Sequence, residues 1–353
     1  MLKLNNEFSF CYTFTIFLFA MNCKAQTLNS DLAVARPGYY NSGSVTGASS
    51  SLLIRGMGGA CIAMESFVDT IPCNPAFVPY ESEARLMGNM LVSNGYDQLD
   101  KVRSLLNNKQ TLESATTLLN GKQPLDIELQ GRVTFFSNRI SGMYEPVHSQ
   151  LHSNMVGNIN PAVQLFVYSG ENLKIQWGLM ATKNLSMGLQ FNWTKSKVIN
   201  RYFQFFELAT DAGKDLLKYK SVQYLSLDPG LNYKLGNLNI SYVIHELGSP
   251  QIPELNLRGP DHQFGLGYSL FNDINVGKID FLLDYQKNTP HFGFKYEYGV
   301  LSVVGGLSDY GTSGGIFFFI KKMFSGIVFS NTNVPWKKNE PINTVYTQFG
   351  LQI

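Results

Sequence analysis

The sequence has little charge and no obvious basic surface. Charged residues make up 15% of the 353 residues, and the net charge is +2, with the lysines and arginines scattered along the chain. A nucleic-acid-binding protein normally carries a basic patch or stripe, so we expect no nucleic-acid partner. Beyond the N-terminus, no run reaches the roughly 18 uncharged apolar residues of a membrane helix. Aromatic residues (13%) and 32 glycines are plentiful instead, which favours a β-rich chain.

Motifs for catalysis or metal binding are also scarce. The sequence has no Cys-x-x-Cys redox motif. His148 and His152 lie four residues apart, near Glu145, which leaves a zinc site as one interpretation. Their polar surroundings favour solvated histidines in a loop. We therefore expect neither an enzyme nor a bound cofactor or metal.

The N-terminus has the features of a cleaved signal peptide. Lys3 precedes an apolar run at 8–21, and Cys23-Lys24-Ala25 places small residues where signal peptidase reads. We predict cleavage between Ala25 and Gln26, which exports the chain. A retained anchor and lipidation at Cys23 are the alternatives.

Two cysteines, Cys61 and Cys73, remain after that cleavage. In an oxidising periplasm they could form a disulfide, which would remove about 3 kcal/mol of unfolded-chain entropy. Two buried free thiols are the alternative.

The clearest pattern is an alternation with period two between residues 260 and 299. Bulky residues occupy the even positions of 262–270, the odd positions of 279–285 and the even positions of 292–298. Because successive side chains of a strand point to opposite faces, this predicts three antiparallel strands with one apolar and one polar face. Strands of about 10 residues with aromatics near their ends are typical of a membrane barrel. A soluble β-sandwich is the alternative.

The polar face of these strands carries an acid–base set: Lys278, Asp280, Asp284, Lys295 and Glu297. Such a set could suggest catalysis. We expect it instead to line a barrel lumen, with cross-strand pairs worth about 0.2–1 kcal/mol each.

A glycine-rich stretch precedes the strands. Arg55-Gly56-Met57-Gly58-Gly59-Ala60 is followed by Ala63, Asp69 and Asn74-Pro75-Ala76. This order resembles the N-terminal region of the long-chain fatty-acid transporter (FadL-like) superfamily of outer-membrane barrels. The resemblance implies a hatch inside the barrel and passive uptake of hydrophobic small molecules, but it indicates no ligand-binding residues. The implied hatch motif comprises Arg55, Gly56, Gly58, Gly59, Asn74, Pro75 and Ala76.

Leucines at intervals of three and four between residues 95 and 121 predict an amphipathic helix or helical pair. An insert of this kind, ending in Gly121-Lys122-Gln123-Pro124-Leu125, is similar to a plasmid-conjugation (TraF-type) branch of the same superfamily. That similarity implies the alternative function, a non-transporting scaffold or a secretion- or conjugation-associated barrel that binds protein partners.

The sequence suggests fifteen strands, including separate strands at 162–168 and 172–182, whereas a single-chain bacterial barrel normally has an even number. Both chain ends of such a barrel lie in the periplasm. Counting strands back from residue 353 then places the loops 246–260 and 331–340 outside the cell and the insert in the periplasm. Adding a strand at 198–206, or removing one near Arg139, restores an even count. We expect about 14 strands (14–16), and the resemblance favours 14.

The sequence therefore predicts an all-β protein, a closed antiparallel transmembrane barrel of the outer membrane. Residues 1–25 are the signal peptide, 26–81 the hatch and 82–353 the barrel, with the helical insert at 95–121. The expected partners are outer-membrane lipid, a hydrophobic small-molecule ligand and the barrel-assembly machinery, which would read the terminal strand 343–353.

Overall fold

The structure, a computed structural model, describes residues 51–65, 69–81, 83–95, 125–156, 162–204, 217–255, 257, 259–273, 277–287, 289–308, 311–334 and 337–353. The chain divides into two compact units, 1–38 and 39–353, and every described residue belongs to the second. The predicted cleavage site at Ala25 and Gln26 and nearly all of the predicted helical insert lie outside the described residues.

Fourteen antiparallel strands form one closed barrel, which confirms the predicted fold. Each strand pairs with its neighbours in sequence, and β1 pairs with β14, so the ring has no free edge. The strands are β1 (Arg85–Ser93), β2 (Leu125–Phe136), β3 (Ile140–Val156), β4 (Ala162–Met180), β5 (Leu185–Gln204), β6 (Lys220–Leu235), β7 (Leu238–His245), β8 (Asp261–Asp273), β9 (Gly277–Gln286), β10 (Thr289–Tyr298), β11 (Leu301–Ser308), β12 (Gly311–Ile320), β13 (Met323–Val334) and β14 (Lys337–Gln352).

The count of fifteen was wrong because two predicted strands are one. Ser169-Gly170-Glu171 looks like a turn, yet β4 runs through it. The segment stays paired with β5 throughout and with β3 at Ser169 and Gly170. The extra strand proposed at 198–206 is also wrong, since β5 continues to Gln204, and β3 near Arg139 is a full strand.

Strands β3 to β6 are 16–20 residues long, well beyond the length of about 10 expected from sequence. We call these four strands the tall wall. Most of the remaining strands have 8–13 residues. The barrel wall is therefore taller on one side than on the other.

The two ends of the barrel differ in their connections. Six hairpins of 2–4 residues lie at the end that holds Ile353, which we call the short-turn end. The connections 94–124, 205–219 and 246–260 leave from the opposite, long-loop end. With fourteen strands the insert is thus attached at the long-loop end, together with the connections 205–219 and 246–260, whereas a count of fifteen would place it at the opposite end. The expected loop 331–340 was wrong, because β13 extends to Val334 and β14 begins at Lys337.

The wall carries apolar side chains outward and polar side chains inward. On β9, Phe281 and Tyr285 are 48% and 42% exposed, whereas Asp280 and Asp284 are 5% and 0% exposed. The same alternation runs along β6, where Leu225, Leu231 and Tyr233 point outward. The apolar faces do not pack between two sheets, so the sandwich alternative is excluded.

The described helical segments are short: α1 (Leu52–Gly56) and two 3₁₀ helices, Pro75–Tyr80 and Pro253–Leu255. Within the described ranges, no helix has the length and hydropathy needed to cross a membrane.

A matched pair of glycines tests the role of the hairpin between β6 and β7. Gly236 has φ +61°, and an added Cβ at Gly236 or at Gly88 would meet no atom. We expect Gly236→Ala to lower the free energy of unfolding by about 1–2 kcal/mol, because an L-residue is strained at this φ. Gly88→Ala, within β1, should instead be neutral or raise it by up to about 1 kcal/mol. Urea unfolding in detergent measures both effects. Equal effects would contradict the requirement for glycine at the positive φ of residue 236.

Candidate functional site

The lumen is crossed by the segment that the sequence marked as a hatch. We use the name hatch for its described part, residues 51–65 and 69–81. Helix α1 contacts β11 to β14, and the 3₁₀ helix Pro75–Tyr80 contacts β3 to β6 on the opposite side. The hatch therefore spans the barrel from one wall to the other.

Local capping and a disulfide set the conformation of the hatch. The Ser51 hydroxyl accepts from the Ile54 amide (3.2 Å) at the start of α1 and donates to the Asp69 carboxylate (2.7 Å). Asn74 caps the 3₁₀ helix by accepting from the Ala76 amide (3.0 Å), and Pro75 occupies its first position. Cys61 and Cys73 are joined by a disulfide, with Cα atoms 5.9 Å apart. The two halves of the hatch are thus covalently linked.

The hatch backbone lies directly on glycines of the inner wall. Gly58 and Gly59 have φ +67° and +91°, and a Cβ at Gly58 would approach the backbone of Leu307 at 2.7 Å. At Gly306 of the wall, an added Cβ would overlap the backbone of Met57 and Gly58. Sequence reasoning missed these wall glycines, although small residues at inward strand positions were a signal. Those that face the hatch are Gly178, Gly188, Gly230, Gly265, Gly267, Gly293 and Gly306.

Side chains of the wall also hydrogen-bond to the hatch backbone. Asp284 accepts from the amides of Cys61 (2.5 Å) and Ile62 (2.8 Å), and Gln176 donates to the Pro72 carbonyl (2.6 Å). In the other direction, the Asn74 amide group donates to the Leu231 carbonyl of β6 (3.0 Å). These bonds satisfy buried polar groups that would otherwise be costly to remove from water.

A buried charge cluster joins the hatch to strands β2 and β3. Arg55 Nη2 lies 2.7 Å from Glu128 Oε1, which His148 Nε2 approaches at 3.1 Å. His148 Nδ1 lies 3.0 Å from Glu145 Oε1, and Arg132 Nε lies 4.0 Å from Glu145 Oε2. Both ring nitrogens of His148 therefore face carboxylates. This charge cluster comprises Arg55, Glu128, Arg132, Glu145 and His148.

The prediction that His148 and His152 are solvated loop residues was wrong. Both lie on β3 and point inward, 1% and 0% exposed. The sequence around them resembles a loop because it is rich in polar residues. Many of these polar residues belong to the inward face of β3. Among the described residues, no group of three or more His, Cys, Asp or Glu side chains could hold a metal ion.

Arg55 is held from two sides. Its guanidinium lies 4.7 Å from the centre of the Tyr346 ring, and the Tyr346 hydroxyl donates to Asp126 (3.2 Å). Burial acts to lower the pKa of Arg55, but the neighbouring Glu128 raises it above its ordinary value. Arg55 therefore stays charged within the lumen.

The acid–base set of β9 and β10 faces the lumen, as predicted. Lys295 is buried and lies 3.0 Å from Glu297 and 3.6 Å from Asp280, while Lys278 lies 3.2 Å from Asp280. Asp284 differs from the expectation because it binds hatch amides instead of a lysine. Four members of the set thus form ion pairs on the luminal face, and Asp284 holds the hatch.

An apolar cluster lies inside the tall wall towards the long-loop end. Its aromatic and aliphatic members point inward from β4, β5 and β6 and meet residues of the β7–β8 connection. This luminal apolar cluster comprises Phe166, Tyr168, Val198, Val222, Tyr224, Ile252, Leu255 and Leu257. It stands out because the inward faces of the same strands are otherwise rich in amides and hydroxyls, such as Gln176, Gln190 and Asn192.

Comparisons with known proteins give no family. No family model matches the chain, and no curated protein matches it. Similar solved structures include the toluene transporter TodX of Pseudomonas putida, with 10% identity, 90% of this chain and 98% of that chain covered, and a TM-score of 0.45. A mutant porin of Rhodopseudomonas blastica covers 77% of this chain and 99% of its own at 6% identity and TM-score 0.34. The match to CdiB from Acinetobacter baumannii covers 77% of this chain and 60% of CdiB, with 7% identity and a TM-score of 0.35. The FadL-like and TraF-type resemblances stay hypotheses.

Breaking the charge cluster should destabilise the barrel strongly. We expect Glu128→Gln to lower the free energy of unfolding by about 3–5 kcal/mol, because it leaves the buried Arg55 without its carboxylate and removes one of the two carboxylates that face His148. Glu171→Gln is the matched control: Glu171 pairs with the 60% exposed Lys195, and its loss should cost less than about 1 kcal/mol. Equal losses in urea unfolding would contradict the role of the cluster.

Filling the space at Gly306 should displace the hatch. Gly306→Val places side-chain atoms where the backbone of Met57 and Gly58 lies, so the hatch must shift. We expect the buried Cys61–Cys73 disulfide to be reduced, and labelled by a maleimide, at least several-fold faster than in the wild type. Gly131→Val, where an added Cβ meets nothing, is the control. Unchanged labelling in Gly306→Val would contradict the close packing of the hatch backbone on Gly306.

Proposed function

We propose that this protein is an outer-membrane barrel that takes up hydrophobic, fatty-acid-like small molecules through its plugged lumen. The outward apolar belt supports the membrane setting. Along β6 it runs from Leu225 to Leu235. At about 3.3 Å per residue and a tilt of about 40°, this stretch is roughly 25 Å high, the height of the apolar band of such barrels.

The luminal apolar cluster is the observation that carries the uptake proposal. A ligand that is poorly soluble in water gains about 25 cal/mol per Å² of apolar surface that it buries. Phe166, Tyr168 and Tyr224 pack on one another on the inner face of the wall, near the long-loop end, and are buried. Cargo would bury its apolar surface here by parting these side chains. Apolar cargo would therefore collect above the hatch.

The hatch gives the proposed pathway its selectivity. Wall glycines and hydrogen bonds hold it across the lumen, so ions and nutrients do not leak freely. Cargo that has reached the apolar cluster passes when a part of the hatch or the wall moves locally. Uptake is thus passive and driven by the concentration gradient of the cargo.

A partner-binding scaffold is the second candidate. It is supported by the polar, hydrogen-bonded packing of the lumen at the level of the hatch, which favours a fixed plug. The insert at 95–121 is attached at the same end of the barrel as the long connections 205–219 and 246–260. In this alternative, these segments would form a surface for a protein partner.

Uptake by a matched pair of variants tests the proposal. Leu255 belongs to the apolar cluster, whereas Leu247, on the same connection, is 41% exposed. In Gram-negative cells that lack their own transporter, we expect the wild type to accelerate uptake of a radiolabelled long-chain fatty acid. Leu255→Asn should reduce this uptake about fivefold, because it places an amide where the cargo needs apolar surface.

Leu247→Asn should leave uptake unchanged, and heat-modifiable migration in gels verifies that both variants fold. Uptake of a monoaromatic hydrocarbon, measured in parallel, shows whether the protein accepts apolar molecules other than fatty acids. Wild-type uptake no faster than in cells without the protein would contradict the proposal and favour the scaffold.

A further inference from the structure

The outer face of the tall wall changes character at a defined row of residues. Leu173, Trp193 and Leu225 are partners across β4, β5 and β6, and all three point outward. Towards the short-turn end, the outward positions of β5 are Met187, Leu189 and Phe191, which are exposed and apolar. Tryptophan at the border of an apolar belt is typical of the membrane–water interface. This row therefore marks the upper limit of the belt.

The next two rows are polar. Glu171, Lys195 and Gln223 are cross-strand partners, and Ser169, Lys197 and Ser221 follow one step further. Ser149 of β3 continues the second row beside Ser169. We call these seven residues the polar band.

Two ammonium groups dominate the polar band. Lys195 and Lys197 are exposed on the same face of β5, two residues apart, which separates their Cα atoms by about 7 Å. Lys195 Nζ lies 3.4 Å from Glu171, and Lys197 Nζ lies 4.6 Å from the centre of the Tyr219 ring. Both contacts are at the surface, where they cost little to exchange.

The band is bounded on its far side by a buried row. Ile127, Leu151, Val167 and Ile199 are partners across β2 to β5, share the outward face and are nearly inaccessible to solvent. The polar band is thus a strip two rows deep, starting where the apolar belt stops.

We propose that the polar band docks the phosphorylated sugar headgroup of an outer-leaflet glycolipid. The lysines would bind its phosphates, and the serine hydroxyls and the Gln223 amide its sugar hydroxyls. The acyl chains would then lie along the apolar belt below Trp193. The proposal rests on the membrane setting proposed above, with the long-loop end at the outer leaflet, and adds a specific lipid partner on one side of the barrel.

Binding of bis-phosphorylated lipid A to the purified, detergent-solubilised full chain tests the proposal, with native mass spectrometry as the readout. We expect the double variant Lys195→Gln/Lys197→Gln to bind about thirtyfold more weakly than the wild type, since each lysine near an anionic lipid surface contributes about 1 kcal/mol. Dephosphorylated lipid A should bind the wild type as weakly as lipid A binds the variant.

The matched control is Lys183→Gln/Lys322→Gln, which removes the same charge from two exposed turns at the opposite end. It should bind like the wild type. Lys195→Arg/Lys197→Arg should retain binding, which separates loss of charge from loss of fold. Excess inorganic phosphate should not displace the lipid, because the site needs sugar and acyl chains as well.

The proposal is overturned if the glutamine variant binds like the wild type, if dephosphorylated lipid A binds equally well, or if inorganic phosphate displaces the lipid at comparable concentration. Failure here is distinguishable from failure of the proposed function. Fractionation of the wild type away from the outer membrane would overturn the membrane setting, whereas weak lipid A binding with normal uptake would overturn only the docking site.

Discussion

Closure of the strands into a ring is the constraint on which the rest of the structure depends. Because β1 pairs with β14, every strand has two neighbours, and each wall residue must point either into the lumen or away from it. Polar groups on the inner side are then buried and need partners. The hatch supplies many of these hydrogen-bond partners, and the wall in turn binds polar groups of the hatch backbone. The outer side carries the apolar belt, which on the tall wall ends at the row of Leu173, Trp193 and Leu225.

The hatch is held by two kinds of contact on different sides of the lumen. Near β10 and β11 its backbone is pressed against glycines, which leaves no room for a side chain at Gly293 or Gly306. Near β2 and β3 it is held by charge, through Arg55 and the carboxylate of Glu128. The Cys61–Cys73 disulfide joins the two halves, so a shift on one side is transmitted to the other. The hatch is therefore anchored at both walls of the lumen as one linked segment.

The alternation of apolar and polar residues could be predicted from sequence because it is a local property of a strand. The hatch segment was predicted through a family resemblance, carried by residues such as Arg55 and Asn74. The continuity of β4 could not be predicted, because Ser169-Gly170-Glu171 has turn chemistry and is kept extended only by hydrogen bonds to β3 and β5. The charge cluster could not be predicted either, since Arg55 and Glu128 are separated by 73 positions and meet only through strand register and hatch placement.

The orientation of the two faces can be measured with the protein's own tryptophans. Of the three, Trp177 points outward from β4 and is 48% exposed. In the variant Trp193→Phe/Trp336→Phe, reconstituted into bilayers, its fluorescence should be strongly quenched by phospholipids brominated on the acyl chains and little affected by aqueous iodide. Quenching by iodide without quenching by brominated lipid would contradict the account, because the apolar face would then lie in water.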